Sequence, residues 1–557
     1  MAQLQFKGKQ LVQNHHLTVE YHELIPQKDK SLTKHLSLND NLIIHGDNLK
    51  ALKALLPTYA GKIKCIYIDP PYNTGNEKWR YNDNVSHPMF KEWLGKVVDK
   101  DDLTRHDKWL CMMMPRLKLL KELLSPNGLI FISVDNNEVH NLRLIMDEIF
   151  EEENYISTIA NINNPKGRSD DKYIPTAHEY LIAFKNGGKP ILFGWKPEDK
   201  VIRRYRKVDK NGNKWREIDL RKTGEGDRRK DRPNMFYYFL FNKSTKEVTP
   251  TKKEFVPKGF VQIKPTKEDG TEGRWRWEIN TSKKNISRLY ARYMPNRKTW
   301  SVFEMDYYNP EDTIKPTTAW TKKDFNSERG TEQFIDLGFK KEDFPKPKPV
   351  GLIKHILQFC TDENDIILDS FAGSGTTAHT ILEMNKEGGN RKFILVELED
   401  YADSITAERV RRVIKGVPNA EDENLKKGLG GTFSYFELGK PIELYSILSG
   451  KSLPTFTEIA RYIFYTATGD EFDEKKISEK TNFIGESKDF EVYLFYKPDL
   501  DYLRNTALTL DRANNLPKYK NKKRLVFAPT KYLDQDQLDE YNITFAQLPF
   551  EIYKLFK

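Results

Sequence analysis

Cysteine is scarce in this sequence. Only Cys65, Cys111 and Cys360 occur, far apart, and no two form a C-x-x-C pair. A disulfide framework and a thiolate zinc site are therefore not expected, and no metal site is called; a reducing cytoplasm suits such a chain. Long apolar runs are missing as well. The stretch Met1-Ala2-Gln3-Leu4-Gln5-Phe6-Lys7 lacks the apolar core of a secretory signal. No run approaches the roughly 18 apolar residues of a membrane span, so no membrane partner is expected. There is no internal repeat. There is also no G-x-x-x-x-G-K-[ST] loop, so ATP-driven work would need another polypeptide.

What is present is positive charge and apolar bulk. The 557 residues carry a formal net charge of +10 with a pI near 9.0, and 38% are hydrophobic and 12% aromatic. That length predicts roughly two to four domains with sizeable cores. The charge points to a polyanionic partner, the alternative being a basic enzyme with none.

Two parts of the chain alternate strand and helix. In the first, Leu42–His45 reads as a strand, Asp47 as a helix N-cap and Ile63–Ile68 as a buried strand. A helix near Trp109–Leu124 is expected to be kinked or split at Pro115, with a turn at Ser125-Pro126-Asn127-Gly128. A strand over Leu129–Asp135 and a helix carrying Val139 to Phe150 follow. The second part begins near Pro349, with a helix over Val350–Cys360, a strand over Asp365–Asp369, a helix over Thr377–Lys386 and a strand over Phe393–Glu397. Such alternation predicts βαβ units on a parallel sheet. Residues 1 to about 40 read as an irregular arm. Between the two parts lies a Lys-, Arg- and aromatic-rich stretch, in which His178 to Phe184 reads as a strand closing the first half. From Arg203 to Arg232 thirteen Lys or Arg face six Asp or Glu. That makes it the electrostatic footprint candidate.

Asp69-Pro70-Pro71-Tyr72 follows the Ile63–Ile68 strand. Two prolines fix φ and carry no N–H. The corner is stiff and offers acceptors only, namely the Asp69 carboxylate and the carbonyls of Asp69, Pro70 and Pro71, beside the ring of Tyr72. An aromatic amine fits it: the NH2 donates and the ring stacks. A plain Pro-Pro turn capped by a surface tyrosine is the other reading.

A second site joins strand to helix at Asp369-Ser370-Phe371-Ala372-Gly373-Ser374-Gly375-Thr376-Thr377. Its glycines let the backbone approach a ligand closely. Glu397 ends the next strand, 22 residues after Gly375, where it can accept from ribose hydroxyls. Gly373 to Ala378 also fits G-x-G-x-x-G/A, so NAD or FAD, S-adenosylmethionine and a structural turn all remain open for the loop alone. The Asp369 carboxylate favours the cationic end of S-adenosylmethionine over a pyrophosphate. Hydride chemistry would leave the Asp69 corner without a task.

An Asp-Pro-Pro-Tyr motif, a basic insert and then a Phe-Ala-Gly-Ser-Gly-Thr-Thr loop resemble the beta class of DNA amino-methyltransferases. In particular they are similar to modification subunits of type III restriction–modification systems. Further similar stretches are Asp69–Gly75, Tyr81-Asn82-Asp83-Asn84, Lys91-Glu92-Trp93-Leu94, Arg105-His106-Asp107-Lys108-Trp109, Arg228-Arg229-Lys230-Asp231-Arg232-Pro233-Asn234 and Gln547-Leu548-Pro549-Phe550-Glu551. The resemblance implies a Rossmann-like, doubly wound α/β sheet in circularly permuted motif order, with an inserted α+β target recognition domain and a C-terminal α/β domain. It implies residues 1–40 as an arm, 41–154 and 346–438 as the two halves of the methyltransferase domain, 155–345 as the insert, and 439–557 as a dimerisation or partner-binding domain.

It also implies methyl transfer from S-adenosylmethionine to adenine N6 in double-stranded DNA by base flipping, with Asp69, Pro70, Pro71 and Tyr72 catalytic. Asp47, Asp69, Lys348, Pro349, Asp369, Phe371 to Thr377 and Glu397 would bind the cofactor. Asp47 is otherwise an ordinary helix cap, and Lys348-Pro349 a linker ahead of a helix. Arg221, Arg228, Arg229, Arg232, Arg274 and Arg276 would meet DNA. A homodimer and a restriction subunit are the implied protein partners, although the chain is short for such a modification subunit. The rivals are an N4-cytosine or stand-alone enzyme, an RNA or protein methyltransferase, a non-enzymatic DNA-binding subunit and an NAD- or FAD-dependent enzyme.

Overall fold

Asp47, Asp69, Asp369 and Glu397 lie at one end of a single sheet, because each ends or closely follows a strand running parallel to the others. A computed structural model describes residues 4–34, 36–74, 105–167, 172–195, 197, 199–441, 453, 455–468, 472–487, 489–517 and 522–548. The expected motifs at 81–84, 91–94 and 549–551 lie outside them.

The strands of the large sheet are β1 (His22–Pro26), β2 (Leu42–His45), β3 (Ile63–Ile68), β4 (Leu124–Val134), β5 (Tyr155–Asn161), β6 (Glu179–Lys185), β7 (Ala319–Trp320), β8 (Ile366–Asp369), β9 (Lys392–Glu397) and β10 (Ser434–Pro441). Their order is β1-β10-β2-β9-β8-β3-β4-β6-β5-β7. The stretch β10-β2-β9-β8-β3-β4 is parallel throughout, and β1 and β6 are antiparallel to their neighbours within it. The helices are α1 (Asn48–Tyr59), α2 (Arg105–Leu123), α3 (Val139–Phe150), α4 (Val350–Cys360), α5 (Thr376–Glu387) and α6 (Glu408–Lys415).

All six residues of β3 are buried, as covering on both faces requires. Its alternate residues divide between the faces. Ile66 and Ile68 join Leu42, Ile44, Ile130 and Ile132 in a core with α1, α2 and α3. Cys65 points the other way and meets Cys360 of α4, sulfur to sulfur at 3.5 Å. From β3 the chain moves to β4 on one side; from β8 it moves to β9 on the other. The reversal opens a crevice at the carboxyl ends of these two neighbours, the place where open α/β sheets bind ligands.

Several local expectations need correction. The arm contributes β1, which pairs with β10 at the sheet edge; its period-two pattern is too short to read alone. Helix α2 covers Arg105–Leu123 among the described residues and runs unbroken through Pro115. Arg116 Nη1 donates to the Met112 carbonyl in that turn; the acceptor that Pro115 leaves without an N–H is the Cys111 carbonyl. Ser125–Gly128 is a bulge inside β4: Ile63 pairs with Leu124, but Cys65 with Leu129. The stretch 155–345 is not all insert, since β5, β6 and β7 belong to the large sheet and the separate compact unit is Gly194–Pro316.

That unit holds a three-stranded and a four-stranded antiparallel sheet, with Tyr237, Phe239 and Trp275 in its core. The C-terminal segment, grouped with the large sheet, forms a four-stranded sheet in the order Phe483–Glu486, Phe490–Leu494, Lys523–Ala528, Ile543–Gln547. Its helix Phe456–Thr468 places Tyr462 edge-on to Tyr21, 4.5 Å between centroids. Among the described residues no helix is long and apolar enough to cross a membrane, and no cluster is placed to hold a metal ion.

Candidate active site

At the end of β3 the two prolines are buried and Tyr72 is half-buried. The indole N–H of Trp109, on α2, donates to the Pro71 carbonyl at 2.7 Å. That acceptor is therefore taken, and Pro71 holds the turn instead of offering it to a ligand. The Pro70 carbonyl accepts no hydrogen bond from any described residue, and the Asp69 carboxylate beside it takes the Tyr72 hydroxyl on one oxygen. Asn73 follows with φ 58°, a left-handed conformation asparagine tolerates. Its Nδ2 donates to buried Glu138 at 2.5 Å and to the Arg105 carbonyl at 3.1 Å. His106 Nδ1 lies 2.7 Å from the same Glu138 oxygen. The turn is thus clamped from α2 and from the residue ahead of α3.

Tyr72 is tied down through its hydroxyl, 2.7 Å from Asp69 Oδ1 and 3.1 Å from Glu179 Oε2. Lys348 Nζ donates to that hydroxyl at 2.7 Å and to Glu179 Oε2 at 2.7 Å, and lies 3.2 Å from Asp69 Oδ1. The phenol has one proton, so it serves one carboxylate at a time while accepting from the ammonium. Asn161 Nδ2 donates to the other Glu179 oxygen at 3.1 Å.

Charge follows from this geometry. Burial pushes Asp69 up to about 6, against the pull of Lys348 and with some repulsion from Glu179. Its side chain stays 20% exposed, enough to meet a ligand. Burial also opposes the Glu179 charge, but Lys348, Asn161 and Tyr72 together hold it below the usual carboxylate range. Between the two acids, Lys348 stays above its ordinary value despite burial.

The loop after β8 lies beside this corner, since Ile367 and Leu368 pair with Cys65 and Ile66. Asp369 accepts from Phe371 N at 3.1 Å and Thr377 Oγ1 at 2.6 Å, and burial pushes it up to about 7. Glu397 accepts from Gly373 N at 2.6 Å and Glu399 N at 3.0 Å; burial pushes it up to about 8. Neither acid forms an ion pair among the described residues. Gly375 has φ 80°, and a Cβ there would sit 3.0 Å from the Thr406 carbonyl, so the close approach demands glycine. Thr406 begins to explain the loop's support: it lies in a π-turn, Asp403–Ala407, and its hydroxyl donates to the Gly373 carbonyl at 2.5 Å. Fully buried Arg409, on α6, donates to Ser374 Oγ and Thr376 Oγ1, both at 2.8 Å. Both hydroxyls are therefore engaged by a buried cation within the protein.

Asp47 caps α1, accepting from Leu49 and Lys50 N–H, and its other oxygen lies 3.4 Å from Arg116. Asn48 beside it donates to the Ser370 carbonyl at 2.9 Å, so the start of α1 is bonded to the loop. Lys348 stands with Asp69, Tyr72 and Glu179, while its carbonyl accepts from Thr376 Oγ1 at 3.1 Å and Pro349 caps α4.

Within the inserted unit, Arg228, Arg229, Arg232 and Arg276 are exposed. Arg229 pairs with Glu272 at 2.7 Å. Arg221 and Arg274 are buried, and Arg274 donates to the carbonyls of Gly226 and Trp275. Their side chains therefore lie within the unit beside core Trp275 and not on its exposed surface, where the DNA contact was expected.

Sequence reasoning missed Glu179, Asn161 and Arg409. A carboxylate opening the apolar run Glu179-Tyr180-Leu181-Ile182-Ala183-Phe184 was the available signal for the first.

Residues 63–408 match the family model described as DNA methylase. The chain is 36% identical over 364 residues to the type II methyltransferase M.KpnI of Klebsiella pneumoniae, covering 65% of this chain and 81% of that protein. It is 30% identical over 418 residues to the EcoPI Mod subunit, a type III restriction-modification enzyme of Escherichia phage P1, covering 70% and 64%. It is 25% identical over 616 residues to the type III StyLTI Mod subunit of Salmonella typhimurium, covering 99% and 84%.

Proposed function

The chain belongs to the DNA methylase family, and we propose that it methylates adenine N6 in double-stranded DNA as the modification subunit of a type III restriction–modification system. The supporting observation is the adjacency of the Asp69–Pro70 acceptors and the β8 loop at the sheet's reversal point. Family membership displaces the NAD and FAD readings of the glycine loop.

The residues present fit S-adenosylmethionine. Asp369 and Glu397 are buried carboxylates with no cation paired to them among the described residues, each pushed well up by desolvation. A cationic ligand carrying ribose hydroxyls relieves both, whereas a pyrophosphate would be repelled. Glu397 would hold the ribose, and Asp369 with the backbone of Phe371 to Thr377 the amino-acid portion. When bound, S-adenosylmethionine supplies an electrophilic methyl group.

The adenine amine is a weak nucleophile, its lone pair being delocalised into the ring. Asp69 and the Pro70 carbonyl accept its two hydrogens and favour the tetrahedral, cationic nitrogen of the transition state, an effect that is preorganised because the prolines cannot relax. Trp109 keeps the turn in place. The base must leave the duplex first, at a cost of a few kcal/mol, and Tyr72 offsets part of this by stacking. An Asp corner favours adenine; cytosine N4 is the second reading. Exposed Arg228, Arg229, Arg232 and Arg276 would neutralise phosphates. A homodimer, a restriction subunit docked on the C-terminal sheet and a cytoplasmic location complete the proposal.

Methyl transfer to duplex DNA, followed by sequencing of the modified bases, tests it. Methylated adenine in a fixed context is expected, and Asp69→Ala should lower transfer by at least about a hundredfold while cofactor binding persists. A fully active Asp69→Ala enzyme, or methylation confined to cytosine, would overturn the assignment.

A further inference from the structure

The loop after β8 is bonded to a cation that has no acid paired to it. Arg409 is fully buried and forms no ion pair among the described residues. Its donors go to Ser374 Oγ and Thr376 Oγ1, both at 2.8 Å, and to His379 Nδ1 at 3.2 Å. We propose that Arg409 is a positioning residue for the anionic end of the cofactor: by donating to Ser374 and Thr376 it fixes both hydroxyls and turns the Ser374 proton toward the α-carboxylate of S-adenosylmethionine.

The inference rests on the methyltransferase reading above and deepens its account of the loop. A buried cation is costly unless an anion or several hydrogen bonds answer it. Burial accordingly pulls Arg409 down to about 9, with Glu383 opposing. Glu383 does not reach the guanidinium; it faces His379 Nε2 at 3.2 Å and Lys354 Nζ at 3.9 Å. A guanidinium only donates, so His379 Nδ1 accepts, and the ring is neutral with its proton on Nε2 toward Glu383. Burial favours the same neutral form. His379 thus holds Arg409 without cancelling its charge. The two loop hydroxyls obey the same rule: each oxygen accepts from Arg409, so each proton points elsewhere. Thr376 gives its proton to the Lys348 carbonyl at 3.1 Å. The Ser374 hydroxyl has only Thr376 Oγ1, at 3.4 Å, near it among the described residues, which is long for an O–H···O bond. The α-carboxylate is the anion of the cofactor's amino-acid portion. Asp369 and Glu397 repel it, whereas a hydroxyl that accepts from a guanidinium is a polarised donor and carries that charge one bond further.

The test compares two ligands by calorimetry on the full chain: S-adenosylmethionine and its decarboxylated analogue, which keeps the sulfonium, the ribose and the amine. The wild type should prefer the first. Arg409→Met should weaken S-adenosylmethionine by about tenfold or more and the analogue by less than about twofold, so that the preference collapses. Arg409→Lys keeps the charge and should recover part of it. Thermal melts beside the titrations report folding. Equal losses for the two ligands would overturn the inference, because a loop merely propped by Arg409 would weaken both alike. So would a wild type that does not distinguish them, or an Arg409→Met chain whose preference is unchanged. Where Arg409→Met does not fold, Ser374→Ala decides: it should lose several-fold of the preference, and a preference equal to wild type would overturn the inference. A wild-type chain that binds neither ligand would instead refute the methyltransferase reading.

Discussion

Asp69 and Asp369 end up at the tips of two hydrogen-bonded parallel strands, although some 300 residues of chain separate them. Their carboxylates repel one another enough for Asp69 to contribute to the upward shift of Asp369, after burial. One of these acids is paired with Lys348, and the other has no cation paired to it among the described residues; on the proposed reading they serve the amine and the cationic cofactor in turn.

On the proposed reading Tyr72 stacks on the base that leaves the duplex. Replacing it with alanine removes the stacking surface and should slow methylation of a paired target by about tenfold or more, since base–aromatic stacking contributes about 1–3 kcal/mol. A mismatched target, whose base leaves the helix cheaply, should lose much less. Single-turnover methylation of the two duplexes measures the difference; equal losses would remove the stacking role.

Asp369 and Glu397 make a prediction about pH. Their native values, about 7 and 8, lie above the ordinary carboxylate range near 4. Between those limits the folded protein holds protons that the unfolded chain has released. Their contribution to stability is therefore complete below about pH 4 and is lost as pH rises toward 8. Glu397→Gln should flatten this fall, measured as denaturation midpoints from pH 5 to 8.5. Cofactor binding at pH 7 should release protons, detected by calorimetry in buffers of different ionisation enthalpy. Proton uptake on binding would contradict the assignment.

The arginines of the insert divide by burial. Arg228→Ala and Arg232→Ala should each weaken duplex binding and reduce its salt slope by about one. Arg274→Ala should leave that slope unchanged and lower the thermal stability of the protein, because it strips hydrogen bonds from the Gly226 and Trp275 carbonyls. Binding as a function of salt, with thermal melts beside it, separates the two classes.

Trp109→Phe isolates the clamp on the Pro-Pro turn. Stranding the buried Pro71 carbonyl should cost about 1–3 kcal/mol in urea unfolding. Methylation should fall while cofactor affinity holds, because the turn and not the β8 loop is loosened. Unchanged stability would mean that the turn stands without the indole.

What the sequence determined by itself is local in origin. Apolar runs of strand length placed β2, β3, β4, β8 and β9, helical spacing placed α3 and α4, and Asp47 sits where a cap was expected. Two prolines after a strand make a rigid acceptor corner in any context, so Asp69 and Pro70 were legible before any fold was known. Only the tertiary structure could seat that corner beside the β8 loop, give the Pro71 carbonyl to Trp109, bury Arg274 and set Glu179 against Lys348. Each of these joins groups far apart in sequence, and long-range pairing is decided by which faces bury together, a property no short stretch contains.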